Sequence, residues 1–309
     1  MTEDEARLEK SKLEHPGNEV GSSNGFSIVD CQVCGYKHAI PVPTSDELKE
    51  VYSHEYYTVE KPLYIERYLE DKEWWESVYT DRYQILENNL NHNRRKILDI
   101  GSGPGLFLNK GKERDWKVKG IEPSEKAAAY SREVLGLDIS EEFLDKSSAA
   151  KMEKFDAVNL GEVLEHIPDP LDMLVLVNDL LEDEGLVCII VPNDFNPFQL
   201  LLRDHMNFKP WWIAPPHHIN YFDFDSLEAL VTKAGFKVIH QESTFPIDMF
   251  LLMGENYIGD DNLGRKCHEK RKIFDMILSK DKSLDKNLRK SFSQLGIGRE
   301  IVLIARKVK

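Results

Sequence analysis

The chain has 309 residues, 41% of them hydrophobic, and carries 54 acidic against 40 basic residues for a formal charge of −14. Such a length predicts about two domains and a sizeable core, while the acidic balance gives no general attraction to nucleic-acid phosphates or anionic lipid. No stretch approaches the roughly 18 consecutive apolar residues of a membrane span, and Met1 to Ser23 lacks the basic-then-apolar layout of a signal peptide, so the expected setting is cytosolic.

Residues 1–25 are charged and rich in glycine and serine, which predicts a disordered tail with order beginning near Phe26. Residues 26–44 contain Cys31-Gln-Val-Cys34-Gly35, a single knuckle, followed by His38 and later His54. Thiolates and imidazoles suit zinc, and Cys31, Cys34, His38 and His54 offer a Cys₂His₂ set. The spacing is unusual, however, and a zinc ribbon needs a second knuckle, so the expectation is a degenerate ribbon whose hairpin persists without metal. Four cysteines in a chain this long do not make a disulfide framework. Residues 45–95 read as a helical cap dense in aromatic side chains: Tyr52, Tyr56, Tyr57, Tyr64, Tyr68, Trp74, Trp75, Tyr79 and Tyr83. Most aromatic residues at helical spacing serve packing.

Lys96-Ile-Leu-Asp99-Ile-Gly101-Ser102-Gly103-Pro-Gly105 follows, a short apolar run that ends beside an acid and opens into a loop with three glycines. The run suits a strand buried on both faces, and the glycines let backbone approach a ligand where a Cβ would clash. The helix after it aims its free N–H groups at that place. A second strand, Val118-Lys-Gly-Ile-Glu122-Pro123, ends in an acid 21 residues beyond Gly101. A carboxylate at that tip can accept from both ribose hydroxyls, a device shared by dinucleotide-binding and other nucleoside-cofactor folds. Ala157 to Leu160 reads as a third buried strand. It leaves Gly161-Glu162-Val-Leu164-Glu165-His166 at its carboxyl end, where ligands bind in such sheets, and Pro170 opens the next helix. Gly185 to Asn193 supplies a fourth strand, with Cys188 inside it.

Beyond Asn193 the segment from Asp194 to Phe222 is rich in Trp and Pro and is expected to wall the substrate pocket. It contains Pro216-His217-His218-Ile-Asn-Tyr221-Phe222. An imidazole takes a proton near neutral pH, so His217 and His218 are the candidate bases, with Tyr221 to orient or assist. A helix near 224–234 and a strand near 237–241 come next. Residues 245–298 form a helical insertion with a basic run, and Glu300 to Arg306 supplies the last strand. The insertion either completes the pocket or makes a dimer contact, and Cys267 has no assigned role.

Gly101-x-Gly103-x-Gly105, Glu122, Leu164-Glu165-His166 and Pro192-Asn193 together resemble the motifs of the class I S-adenosylmethionine-dependent methyltransferases that act on small molecules. The resemblance implies an α/β, Rossmann-like fold with a mostly parallel seven-stranded sheet whose last strand is antiparallel. The catalytic core would comprise residues 96–244 and 299–309, joined to the N-terminal ribbon, helical cap and helical insertion. It implies S-adenosylmethionine as cofactor, with Asp99, Gly101, Ser102, Gly103 and Gly105 at the methionine end, Glu122 on the ribose and Pro123 near the adenine. Leu160, Gly161, Glu162 and His166 would border the reacting methyl group, and no metal ligand is assigned. His217-His218-x-x-Tyr221-Phe222 resembles an element of a branch that includes sugar-modifying enzymes, so the expected reaction is methyl transfer to a small molecule of the saccharide class. Some sugar C-methyltransferases place a zinc module ahead of the catalytic domain but retain more cysteines. Two alternatives stand beside this: an NAD-linked oxidoreductase, whose G-x-G-x-x-G would need glycine at Leu106, and a catalytically silent methyltransferase-like binding protein.

Overall fold

In the computed structural model, which describes residues 3–44, 47–48 and 63–308, two sheets organise the chain. The N-terminal strands are β1 (Gly17–Ser23), β2 (Phe26–Cys31) and β3 (Lys37–Ile40); the central ones are β4 (Lys96–Ile100), β5 (Lys117–Ile121), β6 (Ile139–Ser140), β7 (Phe155–Gly161) and β8 (Leu181–Pro192). Then come β9 (Asn220–Tyr221), β10 (Phe236–Ser243) and β11 (Glu300–Lys307). The larger sheet has the order β10-β11-β8-β7-β4-β5-β6. Its strands run parallel except β11, which pairs antiparallel with β8 on one side and β10 on the other. The expected seven-stranded sheet with an antiparallel last strand is therefore present.

The apolar runs explain the middle of this sheet. Ile97, Leu98, Ala157, Val158, Leu160 and Val187 to Val191 are buried on both faces by helices, as parallel strands require. One face packs with Leu174, Val177, Leu227 and Val231, and the other with Tyr83, Leu86, Phe107 and Leu108. Helix starts follow local chemistry. Pro170 fills the first turn of Pro170–Leu180 while the Asp169 carboxylate accepts from Asp172 N–H, and Asp223 and Ser226 form a reciprocal capping box at Phe224–Lys233. Because β4 to β6 and β7 to β8 wind in opposite directions from the sheet centre, the carboxyl ends of β4 and β7 open a crevice between them.

Two sequence expectations change. The described part of the expected disordered tail, residues 3–25, is ordered. Glu3–Glu14 is helical and β1 pairs antiparallel with β2. Order there comes from partners, not from composition: Leu8 packs against Val29, Cys31 and Ile40, and Arg7 pairs with Glu47. The segment Asp194 to Phe222 does not wall the central pocket. Phe195, Trp212, Ile213 and Tyr221 instead pack with Ile28 and Ala39, so its aromatic content joins the two sheets. The smaller sheet closes this junction with the order β1-β2-β3-β9, and β9 belongs to that segment. Finally, Tyr52, His54, Tyr56 and Tyr57 lie outside the described residues.

Residues 245–298 carry the helices Asp248–Leu252, Asp261–Leu278 and Lys282–Gln294 between β10 and β11. The cap provides Tyr64–Glu70 and Lys72–Asn89. Among the described residues no helix is long and apolar enough to cross a membrane.

Candidate active site

A cavity of about 480 Å³ occupies the crevice beyond the carboxyl ends of β4, β5 and β7. Asp99, Gly101, Ser102, Gly103, Glu122, Pro123, Gly161, Glu162 and His166 all line it. Gly105 and Leu160 stand just behind. Gly105 ends the loop in a left-handed conformation (φ 75°) where the helix Leu106–Glu113 begins, and Leu160 is wholly buried in β7.

The loop geometry explains its residues. Gly101 has φ 69°, and a Cβ there would come within 2.8 Å of Val163, so only glycine keeps the floor clear. Glu122, 4% exposed, turns back towards the loop: its carboxylate accepts from Gly103 N–H at 2.7 Å and from Ser124 N–H at 2.8 Å. Asp99, 3% exposed, accepts from the Asn159 side-chain amide at 2.7 Å. Burial pushes Asp99 from the usual 3.8 up to about 7, despite the Asn159 bond, with the Glu122 charge adding to the rise and Arg82 opposing it. Burial likewise pushes Glu122 from 4.5 up to about 7, against the two backbone donors.

These features fit an adenosyl amino acid. The cavity offers two partly neutralised carboxyl groups, a bare backbone cradle, and a Ser102 hydroxyl that is buried without a hydrogen-bond partner among the described residues. Asp99 and the glycine loop suit an ammonium-bearing end, Glu122 suits vicinal hydroxyls, and Pro123 with Phe143, Leu144 and Asp145 encloses the far end. From the cap, Tyr64, Trp75, Tyr79 and Arg82 close the near side. By contrast, Tyr68, Trp74 and Tyr83 are buried packing residues.

At the rim, Glu162 sits in a left-handed backbone conformation (φ 56°), uncommon outside glycine and a mark of functional loops. Beside it the short 3₁₀ turn Leu164–His166 brings His166 to the cavity edge. His166 Nδ1–H donates to the His217 carbonyl at 2.6 Å, a contact that leaves Nε2 as the basic nitrogen, 3.6 Å from a Glu165 carboxylate oxygen. The His218 ring meets His166 edge-on at 5.0 Å between centroids.

The three residues assigned as base and helper from sequence are thus placed behind the rim. His217 and His218 do not line the cavity, and the Tyr221 hydroxyl is committed to the loop, donating to the His218 carbonyl at 2.8 Å and accepting from Ala214 N–H at 3.2 Å. Sequence reasoning gave no role to Arg82, in the cap helix, or to Asn159, within the third strand. It also missed a second cavity of about 350 Å³, lined by Tyr64, Trp75, Glu162 and Glu300, which border the first cavity too, and by Tyr257 and Arg271. The insertion therefore completes a chamber next to the rim. Its Arg271 guanidinium lies 4.5 Å above the Trp74 ring, and Arg299 pairs with Glu300 at 3.3 Å.

Residues 73–241 match the model of a family described as a methyltransferase domain. Over 136 residues the chain is 32% identical to a ubiquinone biosynthesis O-methyltransferase of Histophilus somni (strain 2336), covering 38% of this chain and 57% of that protein. Over 153 residues it is 28% identical to one of the same name from Ruegeria sp. (strain TM1040), covering 48% and 62%. The chain thus spans somewhat over half the length of these curated relatives. A crystal structure of magnesium protoporphyrin IX methyltransferase from Synechocystis PCC 6803 with bound SAH shares the fold, at a TM-score of 0.50 and 12% identity over 84% of this chain and 99% of that one. The glycine loop, the acid facing it and the matched domain agree: this chain belongs to the methyltransferase-domain family of the class I S-adenosylmethionine-dependent superfamily.

Proposed function

We propose that this protein methylates a hydroxyl group of a small ring compound, with S-adenosylmethionine as donor. The observation that carries the reading is the placement of His166 and Glu162 at the rim of the larger cavity, with a second chamber bordering the same rim. When bound, the cofactor supplies a methyl group on a sulfonium, an electrophile already activated, so the protein's task is alignment and proton removal. Asp99 and the glycine loop hold one end and Glu122 the ribose. His166 Nε2 accepts the proton that the acceptor hydroxyl loses as its oxygen takes the methyl group. The His217 carbonyl fixes the ring through Nδ1–H, and Glu165 steadies the resulting imidazolium. His217, His218 and Tyr221 are positioning residues in this scheme.

Oxygen as acceptor atom follows the O-methyltransferase relatives. A saccharide or saccharide conjugate is the acceptor class favoured by the His217-to-Phe222 element. The second chamber suits it: Trp75 and Tyr257 offer aromatic surface, while Arg271 and Glu300 offer hydroxyl partners. The acidic chain and its four unpaired cysteines fit a cytosolic setting. Incubation with methyl-labelled S-adenosylmethionine and a small-molecule extract tests the reading. The label is expected on an oxygen of a low-mass, hydroxylated ring compound. Label confined to protein or nucleic acid, or no transfer by protein that binds S-adenosylhomocysteine, would overturn it.

A further inference from the structure

The N-terminal sheet holds a second constellation, outside the lining of both cavities. His15, Cys31, Cys34 and His38 each offer one ligand atom, and the four atoms lie within 4.8 Å of one another. His15 Nδ1 is 3.4 Å from Cys34 Sγ and 3.8 Å from Cys31 Sγ. A tetrahedral zinc ion with Zn–S near 2.3 Å and Zn–N near 2.0 Å would space its ligand atoms by about 3.3–3.8 Å, so the set is close to coordinating distance.

Two further observations point to an ion at the centre. His38 is 3% exposed, and its Nδ1–H donates to the Ala39 carbonyl at 3.1 Å, while its Nε2 is buried with no hydrogen-bond partner among the described residues. A ring anchored through one nitrogen with the other left as a buried lone pair is the usual state of a ligating histidine. The second is the knuckle itself. Cys34 N–H approaches Cys31 Sγ at 3.4 Å, and Gly35 N–H donates to the Cys31 carbonyl at 2.9 Å with Gly35 at φ 79°. The Cys34 N–H is the donor that a metal-bound Cys31 sulfur would accept. The two imidazole rings meet edge-on at 80°, with centroids 4.6 Å apart, as two ligands converging on one ion would.

We propose that His15, Cys31, Cys34 and His38 bind one zinc ion in a closed, structural site. Two thiolates balance the divalent charge, and four protein ligands leave no open position, so the role is to fasten the fold. What it fastens follows from topology. β3 carries His38 and pairs with β9, with His38 opposite Asn220 and Lys37 opposite Tyr221. The Asn220 amide in turn donates to the Leu164 and Ile167 carbonyls, on either side of His166. The ion would thus stiffen the loop that anchors His166. The sequence offered His54 as fourth ligand, which lies outside the described residues. His15 fills that place because the helix Glu3–Glu14 returns the chain to the knuckle.

Elemental analysis of the full chain, purified under reducing conditions and supplied with Zn²⁺, is expected to give about one zinc per chain. His15→Ala should weaken Zn²⁺ binding at least about tenfold, and Cys34→Ser should nearly abolish it. Co²⁺ in place of zinc should show thiolate charge-transfer and tetrahedral ligand-field absorption. S-adenosylhomocysteine titration checks that each variant folds, and wild-type stoichiometry decides alone should Cys34→Ser fail to fold. Wild-type protein that holds no zinc at micromolar Zn²⁺, a Cys31–Cys34 disulfide in its place, or equal Zn²⁺ affinity in wild type and His15→Ala would overturn the proposal.

Discussion

Glu122→Ala is expected to weaken S-adenosylhomocysteine binding by at least about hundredfold, as measured by calorimetry. Hydrogen bonds to a charged acceptor contribute about 1.5–3 kcal/mol each, and removing the carboxylate removes the acceptor for two ribose hydroxyls. It also releases Gly103 N–H and Ser124 N–H, so the glycine loop loses its tether. Ligand-free stability should change far less than affinity at pH 8, because an acid whose burial raises it to about 7 is itself costly to keep charged there. Glu122→Gln keeps one oxygen acceptor and should fall between. Binding by Glu122→Ala within threefold of wild type would remove the clamp from the account.

His166→Ala is expected to lower turnover by about 10²–10⁴, the usual contribution of a positioned general base, while S-adenosylhomocysteine affinity stays within a few-fold. The split matters, since His166 lines the same cavity as the cofactor loop and a purely structural role would move affinity as well. His217→Ala and His218→Ala should cost less than tenfold. The group of His217 that orients the base is its backbone carbonyl, which substitution retains, and His218 meets His166 edge-on, ring to ring. Full turnover by His166→Ala, or a larger loss at His217 or His218, would return the base to the paired histidines.

The sheet was legible because its central strands are buried on both faces and read as unbroken apolar runs between glycine and proline signals. The cofactor crevice was legible because its demands are local: a turn that needs positive φ, and an acid at the next strand tip. What could not be read depends on contacts distant in sequence. Residues 1–25 read as disordered in the sequence because their order depends on β2 and Leu8's partners. His15 joins the cysteine knuckle only through the turn after the first helix. The tryptophan-rich segment after Asn193 has the composition of a pocket wall, yet it is spent on the junction between sheets. The paired histidines attract attention in the sequence, but the 3₁₀ turn brings His166, and not His217 or His218, to the lining of the cavity.

The adenosyl site itself is tested most directly by titrating wild-type protein with S-adenosylhomocysteine at pH 6 and pH 8, with NAD in parallel. Asp99 and Glu122 hold protons more tightly in the ligand-free fold than in the unfolded chain, so ligand-free stability falls as pH rises from about 4 through about 7. A ligand that pairs with their ionised forms must expel those protons at pH 6 but not at pH 8. Binding of S-adenosylhomocysteine at least about tenfold tighter at pH 8, with proton release at pH 6 and no heat from NAD, is the expected result. No binding of S-adenosylhomocysteine at either pH, or saturable binding of NAD, would contradict it.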